Sequence, residues 1–190
     1  MAKRTRTKST NRMGARGDMD EQGASGAMHT ELHELFLDQL GDIYNAEQQL
    51  TKALAKMAKT AESDELREAF ESHLEETEQQ ITRLEEVAQT LDESIKRKTC
   101  KAMQGLVAEG QEMMSEKKGS SALDAALIAA AQKIEHYEIA TYGTLCSWAE
   151  QMGHEEALQL LKQNLDEEEA ADEKLTSVAE SVANQRAQAE

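Results

Sequence analysis

Four segments of this 190-residue chain each carry an acidic residue near their centre, on or beside a stripe of apolar residues. Glu47 is the clearest case. Phe36, Leu40, Ile43, Leu50, Leu54 and Met57 recur at spacings of three and four, the pattern of one buried helix face, and position 47 falls on that seam. Glu76, the pair Glu135 and Glu138, and the pair Glu168 and Asp172 hold comparable places in three later segments. A buried carboxylate without a partner is costly, and several at one level call for a cation. Carboxylate-rich sets favour hard or borderline ions such as Mn, Fe, Mg or Ca. Two divalent ions roughly 3.5–4 Å apart, bridged by carboxylates, clamp a small oxygen species between them. The candidate metal ligands are therefore Glu47, Glu76, Glu135, Glu138, Glu168 and Asp172, with His73, one turn from Glu76, as a further donor. Tyr44, one turn before Glu47, offers a hydrogen bond to a ligand or an electron. A single acid on a stripe is an ordinary solvated residue; four at one height are not.

The elements that must hold these acids are helices. The chain lacks proline, has only two phenylalanines and is rich in Ala, Leu, Glu, Gln and Lys, the strong helix formers. The first long helix is expected over about 30–60 with Thr30 as N-cap, and the second over about 64–91 with Ser63 as cap. In the second, Leu66, Phe70, Leu74, Ile81, Leu84 and Leu91 are read as inward, with Glu76 on the edge of the stripe. A shorter amphipathic helix follows over about 99–117. The third long helix is expected over about 121–152, opened by Ser121 with Asp124 three residues on and stopped by Gly153. Its stripe is Leu123, Leu127, Ala130, Ile134, Tyr137, Thr141, Leu145 and Trp148. The fourth is expected over about 154–182, where Leu158, Leu161, Leu165, Glu168, Asp172 and Leu175 continue one seam, and 184–190 are read as a frayed end.

Short joints make two antiparallel hairpins, and the roughly 29 residues between them are long enough to cross the bundle. In such a bundle helix midpoints share a height. They fall near residues 45, 77, 136 and 168, within about two residues of the acids, a spread of roughly 3 Å at 1.5 Å per residue. A one-residue shift of phase would exchange Glu76 for Glu75, or Glu168 for Glu167.

Charge and composition narrow the function. The formal net charge is −16, yet residues 1–28 hold six basic and three acidic side chains, so the rest of the chain carries −19. That body repels nucleic acid and anionic lipid. Residues 1–28 read as a disordered basic tail, the one part suited to touch nucleic acid, although no aromatics interleave its charges. Two cysteines make no disulfide framework and suit a reducing compartment. No apolar run approaches the ~20 residues of a membrane span, and a cytoplasmic location is expected.

Several stretches resemble the YciE/YciF-like bacterial ferritin-like proteins: Leu32 to Leu54, His73-Leu-Glu-Glu-Thr, Cys100-Lys-Ala-Met-Gln-Gly-Leu, the long run from Asp124 to Ala140, and Leu165-Asp-Glu-Glu. The resemblance covers about residues 30–183. It implies an all-α, ferritin-like four-helix bundle with an extra short helix in the crossover, a stress association and a homodimer. Glu47 resembles the first-helix ligand of the wider ferritin and rubrerythrin group, and Glu135 with Glu138 its third-helix pair. Gln79 and Ala171 stand where that group's two histidines would; Asp172, and His73 or Gln80, are the substitutes. The expectation is a dinuclear iron or manganese site that handles oxygen or peroxide. The alternatives are a non-catalytic stress scaffold and a Dps-like protective protein whose basic tail touches DNA.

Overall fold

Helix α1, Glu31–Thr60, begins where its sequence says it should: the Thr30 hydroxyl accepts the His33 backbone N–H at 3.2 Å, and Glu31 and Glu34 sit in the positive first turn. The computed structural model describes residues 30–189, so the basic tail expected over 1–28 lies outside the described residues. Helix α2, Asp64–Thr90, is capped by Ser63, whose hydroxyl accepts the Leu66 N–H. Helices α3, Lys101–Glu116, α4, Leu123–Met152, and α5, Glu155–Val178, follow. Gly153, at φ +73°, ends α4 in the left-handed conformation that glycine adopts without penalty.

The four long helices form a ring in the order α1, α2, α5, α4, and every neighbour in it is antiparallel. The chain is thus an all-α bundle of two hairpins joined by one long crossover, the ferritin-like connectivity. The crossover carries α3 and packs on α1 and α4. It is tied down along α1. Asn45 Oδ1 accepts the Cys100 N–H at 2.9 Å, Lys98 pairs with Asp38, and the Lys96 carbonyl lies so close to Gly41 that a Cβ there would sit 2.6 Å from its oxygen.

Three expectations about the helices change. α4 does not start in a Ser121–Asp124 capping box; it starts at Leu123 with no side-chain cap. Asp124 instead turns to the α1–α2 joint, where it accepts the backbone N–H groups of Glu62 and Ser63 at 2.8 and 2.9 Å. That joint leaves partly buried donors with no helical acceptor, and a carboxylate satisfies two at once. Residues 184–188, read as part of a loose end, continue the helix. A π turn over Ala179–Ala183 leads into α6, Asn184–Gln188, and Arg186 reaches Glu62. The inward faces of α2 and α5 are also rotated. On α2 the buried positions are Leu66, Phe70, His73, Thr77, Gln80, Leu84, Val87 and Ala88, while Leu74, Ile81 and Leu91 are half-buried. On α5 they are Ala157, Leu161, Asn164, Glu168, Leu175 and Val178, while Leu158, Leu165 and Asp172 are half-buried. The rotation puts polar residues at the middle of both seams.

Apolar layers close the bundle on either side of that middle. Phe36, Leu40, Ile43, Leu84, Leu145 and Leu161 fill one side; Leu54, Met57, Leu66, Phe70, Leu127 and Leu175 fill the other. Among the described residues no helix is long and apolar enough to cross a membrane. Cys100 and Cys146 are both buried and unbridged.

Candidate metal centre

The polar layer is built from one to three side chains of each long helix. α1 supplies Glu47, α2 supplies His73 and Gln80, α4 supplies Glu135, Glu138 and Tyr142, and α5 supplies Asn164 and Glu168. Each is placed by helical spacing. Glu135, Glu138 and Tyr142 stand three and four apart on α4, and Asn164 is one turn before Glu168 on α5, so each set shares a face.

His73, Glu135, Glu138 and Glu168 each turn one ligand atom into the same space, all within 4.8 Å of one another. His73 Nε2 is 3.2 Å from Glu135 Oε2 and 3.5 Å from Glu168 Oε2. Glu47 adjoins this group from α1. Tyr142 OH donates to Glu47 Oε1 and accepts from Asn164 Nδ2 at 3.0 Å. Arg83 donates to Asn164 Oδ1 and, at 2.8 Å, to Glu167 Oε2. Gln80 Nε2 donates to Glu168 Oε1 and, at 3.2 Å, to Glu167. One connected network therefore fixes the outer oxygens of Glu47 and Glu168.

The inner oxygens have no such partners. Glu47 Oε2, both oxygens of Glu135, both of Glu138 and Glu168 Oε2 are buried without a hydrogen bond, as is His73 Nε2, whose contact with Glu135 is close but not aligned as a hydrogen bond. Buried polar groups are nearly always paired, so this concentration is unusual. Four carboxyls face a single imidazole. At an effective dielectric near 20, two like charges that close repel by about 3 kcal/mol.

The titration of the groups follows. Burial pushes Glu47 up to about 7, against the hydrogen bond from Tyr142. Burial and the surrounding carboxylates hold Glu138 well above the usual carboxylate range, and burial does the same for Glu168 against the pull of His73. Glu135 alone falls below it: burial works upward there too, but the His73 cation outweighs it. His73 rises well above an ordinary histidine, because Glu135, Glu76 and Glu168 overcome the opposing effect of burial. The layer thus gathers positive charge where it can. Three carboxylates and an imidazole form a donor set that suits a borderline divalent ion, and the orphaned inner oxygens fit one.

Of the six acids read from the sequence, Glu47, Glu135, Glu138 and Glu168 meet in this layer and two do not. Glu76 lies at its edge, 40% exposed, with Oε2 3.4 Å from His73 Nδ1. Asp172, a half-buried residue, takes a hydrogen bond from Gln132 at 3.1 Å and lies 3.5 Å from exposed His136. Tyr44 does not serve Glu47; it donates to Glu85 at 2.7 Å, and Tyr142 takes the role expected of it. Tyr137, expected on the α4 stripe, is half-buried and donates to Asp42 at 2.9 Å. Tyr142, Asn164 and Arg83 were not picked out by the sequence reading. The spacing of Tyr142 from Glu138 and of Asn164 from Glu168 was the available signal.

Comparison with known proteins gives the same fold. YciF of Escherichia coli strain K12 is 48% identical over 158 residues, covering 83% of this chain and 95% of that protein. The crystal structure of that stress protein superposes with a TM-score of 0.78 over 81% of this chain and 98% of the other. YcfI of Rhodopseudomonas palustris, 45% identical, superposes at 0.77 over 81% of this chain and 98% of its own. A Xanthomonas campestris pv. campestris protein, 25% identical, superposes at 0.65 over 83% and 96%. The family model described as "Domain of unknown function (DUF892)" matches residues 31–188, nearly all of the described chain, and the protein belongs to that family.

Proposed function

We propose that this chain is a stress-associated, ferritin-like protein that holds two divalent ions, iron or manganese, in its carboxylate layer and handles oxygen or peroxide there. The observation that carries this reading is the set of inner oxygens without hydrogen-bond partners on Glu47, Glu135, Glu138 and Glu168. These four residues and His73 are the proposed ligands. Glu76, in contact with His73 Nδ1, orients the imidazole. Bound there, a pair of such ions supplies a clamp for a small oxygen species and a source of electrons. The chain's own residues supply the rest. Tyr142, Asn164, Gln80 and Arg83 hold the outer oxygens in place, so little reorganisation is needed when charge develops. The apolar layers on both sides shield the acids from water along the bundle axis.

The test is metal content in protein purified without added metal, beside Glu47→Ala and Glu138→Ala. About two iron or manganese ions per chain, lost in both variants, support a dinuclear site. Less than about a tenth of an ion per chain, with no uptake in an anaerobic Fe(II) titration, overturns it. A second reading has its own observation: His73 already contacts Glu135 and Glu168, so the layer has an internal cation. On that reading the protein is a non-catalytic stress scaffold, its stability is indifferent to metal and it consumes no peroxide.

A further inference from the structure

A cavity of about 330 Å³ lies between α2 and α5 and ends on the polar layer. Its floor is His73 and Glu135, both buried, and His73 Nε2 and both Glu135 oxygens there lack hydrogen-bond partners. Its outer rim carries Glu65, Glu68 and Glu76, opposed by Lys174. The α5 wall is Ala170 and Ala171, side chains too small to close it.

We infer that this cavity is a binding vestibule for a hydrated divalent cation and the route by which the cation reaches the buried acids. The inference rests on the metal-centre reading above. Three carboxylates against one ammonium give the rim a negative potential, and a narrow cleft with low-dielectric walls focuses it inward. One water needs roughly 10–15 Å³ of such space, so an ion fits with its hydration shell. Glu76 spans the passage: it lines the cavity and touches the floor histidine, so it can take the cation from the rim as water is shed. The α2 rotation that buries His73 rather than Leu74 puts an imidazole at the inner end of this path.

The test follows cobalt(II) uptake by the metal-free, full-length chain in a stopped-flow instrument, with final cobalt content measured separately. Ala171→Leu fills the wall, and it should slow uptake by ~10-fold or more while reaching the wild-type content. The double change Glu65→Lys and Glu68→Lys, on exposed positions that leave the fold intact, should slow uptake ~10-fold at low salt, with the difference shrinking as salt rises. It keeps the test decisive if Ala171→Leu fails to fold. Uptake as fast as wild type in both variants overturns the vestibule and leaves the metal centre standing. A wild-type chain that takes up no cobalt, iron or manganese overturns the metal centre and the vestibule with it.

Discussion

Replacing Glu138 by methionine should stabilise the metal-free protein and remove its response to metal. The Glu138 side chain is fully buried and neither oxygen makes a hydrogen bond. Burial, then the charges of Glu47, Glu168 and Glu135, hold its pKa well above the usual carboxylate range. A buried polar group left unsatisfied costs about 1–3 kcal/mol. Methionine is unbranched, of similar length and without strong polar atoms, so the cost is removed with little change of volume. In a domain of this size each kcal/mol moves the melting temperature by about 2–4 °C, so a rise of several degrees is expected in the presence of a chelator. The same melts with Fe(II) or Mn(II), run anaerobically, read the second half. Ligand at about 100 times its Kd adds about 2.7 kcal/mol to the wild type, and the variant should gain nothing comparable. The reasoning is refuted if Glu138→Met melts lower than wild type in chelator, or if metal still stabilises it as before.

Metal-free stability should fall as pH rises through the range where the buried acids titrate. Glu47 loses its proton near 4.5 when unfolded but only at about 7 when folded, so the folded state binds the extra proton in between. Stability from this group therefore declines by ~1.4 kcal/mol per pH unit across that window. Urea titrations at several pH values measure the slope, Glu47→Gln should flatten it, and a rise in stability over the window would sink the argument. Tyr142→Phe takes the donor from Glu47 and the acceptor from Asn164, so it should cost about 1–3 kcal/mol in chemical denaturation. A loss under about 0.5 kcal/mol would mean the network does not hold the glutamate. Gly41→Ala drives a methyl group against the Lys96 carbonyl, and it should cost about 1–3 kcal/mol and loosen residues 94–100, which hydrogen exchange at Cys100 would show.

Much of this protein is legible in its sequence because helical periodicity is a local property. The α1 seam of Phe36, Leu40, Ile43, Glu47, Leu50, Leu54 and Met57 is buried as read, and the Thr30, Ser63 and Gly153 boundaries hold. The long crossover follows from counting residues. The seam and the boundaries depend on side chains within a few residues of one another: apolar spacing sets the first, and capping hydroxyls and a glycine set the second.

The rotation of α2 and α5 was decided by the tertiary structure. Leu74 and Ile81 looked inward because they are apolar, yet His73, Thr77 and Gln80 take the inner face. A polar seam is stable only when partners arrive from other helices, as Glu135 and Glu168 do for His73, Glu168 for Gln80 and Tyr142 for Asn164. Those partners lie 22 to 95 residues away along the chain, so no local pattern announces them. The same reason moved Asp124 from its expected cap to the α1–α2 joint, where the donors it satisfies are some sixty residues distant. Sequence alone put an acid from each long helix at one height; that α2 turns in His73 rather than Glu76, and which neighbours complete the layer, was fixed only when four helices closed around it, because the energy of a buried polar group belongs to the partner it meets.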